Sequence, residues 1–402
     1  MRRLGLTFAA IVPLAACAAD PNYLTGAAGT GGGGGTGGGA GSYTPPALKL
    51  SHPNPIVSRA AQGSQVFSSP ANGNQVVNGV YHNGGWTAPA PTAAAPAWVA
   101  IKLETPRTRV LVSWDDGGTY NYKDPPGTPV YGFPADYHFD ASSNSTNGMD
   151  GDWTALGPPV TGNVVRTRAH AFDLGGKTWI KMVITAAPPT ASGGRVQIAE
   201  IDIHDISPTA PDRPEDTWFF MGDSITAFAY DRAALHQPSF AAAINTATAN
   251  AYMPAMINGG IGGEKSTDGL ARLPDTLALN PDYHFFVLGY GTNDAAGGQI
   301  PPGTFKTTMQ AMIDMVKAAG REPVIPHIPF ADDGSHGNLP AYNAVIDELT
   351  RTNQLQVGPD LYAHFMEHAL DQLQSDDKLH PNDAGRAAMN QLWADAMRVV
   401  YP

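Results

Sequence analysis

Cysteine is almost absent from this chain. Cys17 is the single one in 402 residues, so no disulfide can form within it. Charge is scarce as well: charged residues make up 15% against 42% hydrophobic, the balance of a packed globular protein rather than one kept unfolded by its own charge. Basic residues are the scarcer sign. The 24 Lys and Arg face 36 Asp and Glu, the net charge is −12, and no basic cluster occurs beyond Arg2-Arg3, so the surface that neutralises phosphates is missing and nucleic acid is not an expected partner. Long apolar runs are lacking too. Leu4 to Ala16 is too short to span a bilayer but has the length of a signal-peptide core behind two arginines.

That segment ends in Leu14-Ala15-Ala16-Cys17, which resembles the lipobox of bacterial lipoproteins. The resemblance implies cleavage after residue 16, lipidation of Cys17, and membrane contact through that anchor alone. Ala18, where an Asp would signal retention, points by the same resemblance to the outer membrane. Residues 17–44 form the lipidated Cys and a tether, in which "GAAGTGGGGGTGGGAGS" from Gly26 to Ser42 has a coil reach of about 20–25 Å. A phosphate-cradling loop would need a Gly-Lys-Ser/Thr and a flanking strand or helix, and neither is there.

Abundance begins with 45 Gly and 35 Pro, which mark turns and tethers. Between residues 45 and 207, runs such as "AWVAIKL", "RVLVSW", "TWIKMVIT" and "RVQIAEIDIHDI" alternate with turn residues and show no helical period. They predict an all-β sandwich of jelly-roll type. A connector with three prolines, Ser207 to Thr217, leads into residues 208–402, where strands alternate with helices. "WFFMG", "PAMING", "YHFFVLGYG" and "EPVIPHIPF" read as strands; Gln237 to Ala249, "TDGLARLPDTLAL", Phe305 to Ala319, Pro340 to Thr352 and Asp383 to Val400 read as helices. This alternation implies a parallel sheet covered on both faces, with the chemistry at the carboxyl ends of its strands.

Candidate chemistry collects at those ends. Ser224 follows the first strand, where it is either a nucleophile or a helix N-cap. "NGGIGGEKS" follows the second, with glycine amides unobstructed by side chains. "GYGTND" follows the third and puts the Asn293 amide on the same rim. "DDKLHPNDAG" brings a base, His380, and a carboxylate, Asp377, three residues apart. Together they supply a nucleophile, a base, an orienting acid and oxyanion donors.

Gly222-Asp223-Ser224, the glycine block around Gly263, Gly291-x-Asn293-Asp294 and Asp377-x-x-His380 resemble, in order and spacing, the four blocks of the SGNH (GDSL-type) hydrolase superfamily over residues 216–402. The resemblance implies a three-layer, flavodoxin-like α/β fold and a serine esterase: Ser224 as nucleophile, His380 as base, Asp377 as its orienting partner, and an oxyanion hole of the Ser224 and Gly263 amides with the Asn293 side chain. Gly260 and Gly262 are alternative donors to Gly263, and Asp376 competes with Asp377. No metal or cofactor is needed. The β-rich segments "VVNGVYHNGGWTA", "AWVAIKL" and "QIAEIDIHDI" resemble galactose-binding, discoidin-like modules, so an acylated glycan is the expected substrate.

Other features are weighed against this reading. "HFMEH", His364 to His368, fits an inverted zinc-peptidase pattern, but no third ligand is apparent downstream. His327 in "VIPHIPF" is expected to form a pocket wall. Trp86, Trp98, Trp114, Tyr120, Tyr122 and Tyr137 are sugar-stacking or core aromatics, with Trp86 the first choice for exposure, and "DDGG" from Asp115 is expected to be a hairpin turn rather than a calcium site. The rival functions are a lipase, lysophospholipase or thioesterase on longer acyl chains, and a carbohydrate-binding surface lipoprotein with an inert hydrolase region.

Overall fold

The structure is a computed structural model that describes residues 65–79, 81, 85–117, 132–189, 191–207, 215–229, 239–374 and 376–401. The expectations for Cys17, the signal segment, the tether, Tyr120, Tyr122 and the prolines of the connector lie outside these residues. The described residues fall in one compact unit. Among the described residues, no helix is long and apolar enough to cross a membrane.

The first half is antiparallel β. Strands β1 (Gln65–Ser69), β3 (Ala97–Lys102), β8 (Trp179–Ala186), β5 (Asp136–Ser142) and β6 (Thr154–Ala155) form one sheet in that order. A second sheet has the order β10 (Glu200–Asp205), β4 (Arg109–Asp115), β7 (Thr167–Asp173), and β2 (Trp86–Ala88) pairs with β9 (Val196–Ile198). Successive side chains of a strand point to opposite faces, and in β4 both faces are used. Val110, Val112 and Trp114 pack with the first sheet's Val99, Ile101, Phe139 and Met182, whereas Leu111 packs with Phe219 and Met221 of the second half. The β10-β4-β7 sheet is therefore a shared middle layer.

Trp86 corrects the sequence reading. It is buried in the sandwich core, and its indole N–H donates to the Pro70 carbonyl at 2.8 Å. Its neighbours in sequence are turn residues, which suggested exposure, but its strand partner Ile198 carries it inward. Trp114 and Tyr137 are buried as well.

The second half is a five-stranded parallel sheet in the order β12 (Ala255–Gly260), β11 (Thr217–Gly222), β13 (Phe285–Gly289), β14 (Glu322–Ile325), β15 (Gln356–Val357). Strand β11 is apolar from Trp218 to Met221 because it is covered on both sides. Trp218 and Phe220 face α1 (Ser224–Ala229), α2 (Phe240–Ala247), α7 (Leu361–Gln372) and α8 (Asp383–Met397). Phe219 and Met221 face α3 (Ser266–Leu279), α5 (Pro302–Ala318) and α6 (Leu339–Thr352). Across β11 and β13, Trp218 stacks on Phe285 at 3.8 Å and Phe219 on Phe286 at 5.2 Å, pairs that contribute about 0.5–1.5 kcal/mol each beyond their buried area.

The chain runs from β11 outward to β12, then back across to β13 on the other side. That reversal opens a crevice at the carboxyl ends of β11 and β13, where Gly222 and Gly289 are paired. The helices start and stop within a few residues of their sequence assignments. The sequence reading missed α1, β15 and the full length of α7.

Candidate active site

The turn after β11 determines what Ser224 can do. A side chain at Gly222 would lie 2.1 Å from the Thr226 hydroxyl and 2.6 Å from the Gly289 carbonyl, so the strand must end in glycine for α1 to fold against it. Asp223 is buried, its Oδ1 accepts the Ile225 amide at 2.9 Å, and its carbonyl accepts the Ala227 amide at 3.0 Å. Asp223 thus takes the capping role that sequence alone offered to Ser224. Burial, with Asp294 nearby, raises its carboxyl to about 7.

Ser224, freed from capping, meets the C-terminal loop. His380 Nε2 lies 2.9 Å from Ser224 Oγ, and His380 Nδ1 lies 2.7 Å from Asp377 Oδ2. The other oxygen of Asp377 accepts the amides of Leu379 at 2.9 Å and His380 at 3.0 Å, which fixes the carboxylate to the ring's own loop. Partial burial opposes the charge of Asp377, but these amides and the imidazole outweigh it and hold the carboxyl below its ordinary value. With Nδ1–H donating to a carboxylate, Nε2 carries the lone pair that accepts the Ser224 hydroxyl. Asp376 is exposed and makes no bond to the ring. The Phe228 edge packs on the imidazole at 5.1 Å, and Arg386 covers the Phe228 ring at 5.7 Å.

After β12 comes a turn closed by the Glu264 amide on the Ile261 carbonyl at 3.3 Å, with Gly263 at φ 82°. That conformation favours glycine, and it leaves the Gly263 amide, like that of Ser224, without a partner among the described residues. Asn293, in α4 (Thr292–Ala295), donates from Nδ2 to the Glu264 carbonyl at 2.8 Å, which ties the third block to the second. Next to it, Asp294 accepts the Ser266 amide at 2.9 Å and the Ser266 hydroxyl at 2.5 Å, pinning the start of α3.

The network beneath that turn is not announced by any motif in the sequence. Glu264 Oε2 accepts Arg272 Nε and the Tyr290 hydroxyl, each at 3.0 Å, while Arg272 also donates to the Gly259 carbonyl at 2.8 Å. Burial raises the Glu264 carboxyl against the opposing pull of Arg272. Arg272 sits in "DGLARLP", which suggested only a helix. Its signal was the unusual placement of one arginine among the apolar positions of that stretch.

His327 lines a small cavity under the strand ends, as expected of a pocket wall, but its ring is also engaged on both sides. Nδ1 meets Asp360 at 2.8 Å and Nε2 meets Asp347 at 2.9 Å, so it bridges the starts of α7 and the body of α6. Burial works to lower its pKa, but hydrogen bonds and charge from Asp347 and Asp360 prevail and raise it to about 9. Because the folded value lies above the ordinary one, the stabilisation is complete below about pH 6.5 and fades as pH rises through 9. His327→Gln should therefore cost about 1–2 kcal/mol near pH 6, after screening at the half-exposed carboxylates, progressively less as pH rises from about 6.5 to 9, and almost nothing above. Urea unfolding of both proteins across that range checks it.

His364 and His368 lie one turn apart on α7, where His364 Nε2 bonds Gln372 at 2.7 Å and His368 faces Asp371 at 3.7 Å. Asp115 ends β4 and Asp116 follows it, and the residues beyond Gly117 lie outside the described ones.

Comparison with known proteins fits this geometry. The GDSL-like Lipase/Acylhydrolase family model matches residues 220–388. Thioesterase 1/protease 1/lysophospholipase L1 of Escherichia coli K12 is 30% identical over 169 residues, 42% of this chain and 76% of that protein. The chain belongs to the GDSL-like lipase/acylhydrolase family. An arylesterase of Vibrio mimicus is 30% identical over 129 residues, 31% of this chain and 61% of its own. Among solved structures, a lipase/acylhydrolase of Enterococcus faecalis matches with TM-score 0.39 and 24% identity, covering 46% of this chain and 95% of its own. Membership makes the chain a carboxylic ester hydrolase of this family.

Proposed function

We propose that the protein is a serine esterase that removes short acyl groups, acetyl above all, from a glycan. The observation that carries the reaction type is the relay from Ser224 through His380 to Asp377 at 2.9 and 2.7 Å. His380 Nε2 takes the hydroxyl proton as Ser224 Oγ attacks the ester carbonyl, and Asp377 stabilises the imidazolium. The amides of Ser224 and Gly263 and the Asn293 side chain receive the oxyanion. His380 then protonates the departing alcohol, and a water repeats the sequence on the acyl-enzyme.

Two features favour a short acyl group on a sugar. Each methylene of a bound acyl chain gains about 0.8 kcal/mol only if apolar surface receives it. Among the described residues, exposed large apolar side chains are scattered, with Met366 and Leu370 on α7 the one pair a helical turn apart. The β-rich half, for its part, brings Asp115, Asp116, Arg166 and Thr167 to the end of β12. Rates across p-nitrophenyl esters from acetate to palmitate, with acetate release from acetylated polysaccharides, test the reading. A maximum at acetate to butyrate with acetate released is expected. A maximum at octanoate or longer without acetate release would overturn it in favour of the thioesterase or lysophospholipase alternative.

A further inference from the structure

A cavity of about 200 Å³ lies where the middle β-layer meets the parallel sheet, and no step of the reaction uses it. One wall is Asp115, Asp116 and Arg166 at the ends of β4 and β7, with Phe133 and Val164 at their side; the other is Gly260 and Ile261 at the end of β12, with Arg272 from α3. Ile261 precedes Gly263 by two residues, so the cavity begins at most about 7 Å of chain from the oxyanion turn. That separation is within the length of a disaccharide.

The walls define the ligand class. Each guanidinium already faces a carboxylate, Arg166 Nε to Asp116 at 2.9 Å and Arg272 to Glu264 at 2.8 Å, so the charges balance and an anion gains nothing by entering. Asp115 Oδ2 accepts the Thr167 hydroxyl at 2.7 Å, and that hydroxyl also reaches the Asn258 carbonyl of β12 at 3.1 Å. Burial and the adjacent Asp116 raise the Asp115 carboxyl to about 8. The polar side chains of Asp115, Asp116, Arg166 and Thr167, beside the half-buried ring of Phe133, suit hydroxyl groups on one face and C–H groups on the other. Val164 stands at the mouth, 58% exposed.

We infer that this cavity is a subsite for a neutral sugar residue of the substrate, one or two units removed from the residue that carries the acyl group. The inference rests on the glycan-esterase reading. Through Arg272, the same site touches the Glu264 turn, so a bound sugar also braces the oxyanion turn.

Val164→Trp plugs the mouth from an exposed position, and Phe133→Ala removes the apolar face. Both should lower kcat/KM on partially acetylated neutral xylo- and manno-oligosaccharides about tenfold or more, while p-nitrophenyl acetate is cleaved within about twofold of wild type. Unchanged rates on both substrates, or a parallel fall on both, overturn the subsite. A second arm separates this from failure of the parent reading. Titration of Ser224→Ala with deacetylated xylo- and manno-oligosaccharides, followed by NMR or calorimetry, should show binding that Val164→Trp abolishes. Binding there without acetate release by wild type would retain the subsite and sink the glycan-esterase reading; no binding would sink the subsite whatever the rates.

Discussion

Ser224→Ala should lower kcat on p-nitrophenyl acetate by at least about 10⁴-fold and leave the melting temperature where it was. The first half of that expectation follows from the relay: without Oγ, His380 has no nucleophile to deprotonate, and what remains is the contribution of the oxyanion donors and of binding. The second half follows from the turn. A serine that capped α1 would take about 1 kcal/mol of stability with it, but here the cap is Asp223, whose Oδ1 holds the Ile225 amide. Steady-state kinetics and a thermal melt on one preparation read both. Turnover within tenfold of wild type would remove Ser224 from the mechanism, while a large drop in melting temperature would return it to a capping role.

Asn293→Ala should lower kcat about 10²–10³-fold, or about 2.7–4 kcal/mol of transition-state stabilisation, with KM changed little. The amide has two N–H groups. One is committed to the Glu264 carbonyl at 2.8 Å, and in the proposed mechanism the other is the one that meets the oxyanion. Its partner Glu264 is itself held by Arg272 and Tyr290, so the turn carrying Gly263 keeps its shape when Asn293 is truncated. A loss confined to kcat is therefore the signature of a donor that acts on the transition state. A rise in KM with kcat unchanged would make Asn293 a ground-state binding residue instead.

The sequence made these residues legible because each is announced by its neighbours along the chain. Gly222 and Asp223 flag the strand end before Ser224, and Asp377 lies one turn from His380. The long helices were legible for a similar reason: Phe305, Met309, Met312 and Val316 repeat on one face of α5. The six residues of α1 and the two of β15 are too short to show a period. The fate of Trp86 depended on a strand partner more than 100 positions away, as did the bond from the Ala169 amide to Asn280 Oδ1. Strand β4 looked like one sandwich strand among several because alternation records that both faces are apolar but not which neighbour each face meets. The clasp of Arg272 on Glu264 needs the helix and the turn folded together before it exists at all.

The middle sheet has one further consequence. Leu111, Ala169 and Ile206 belong to the same apolar cluster as Phe219 and Met221, and β4 and β7 lie along the open edge of the parallel sheet at β12. An unprotected edge of that kind invites pairing with another chain. The β-rich half packs along that edge, and the two halves should melt together as a single cooperative unit.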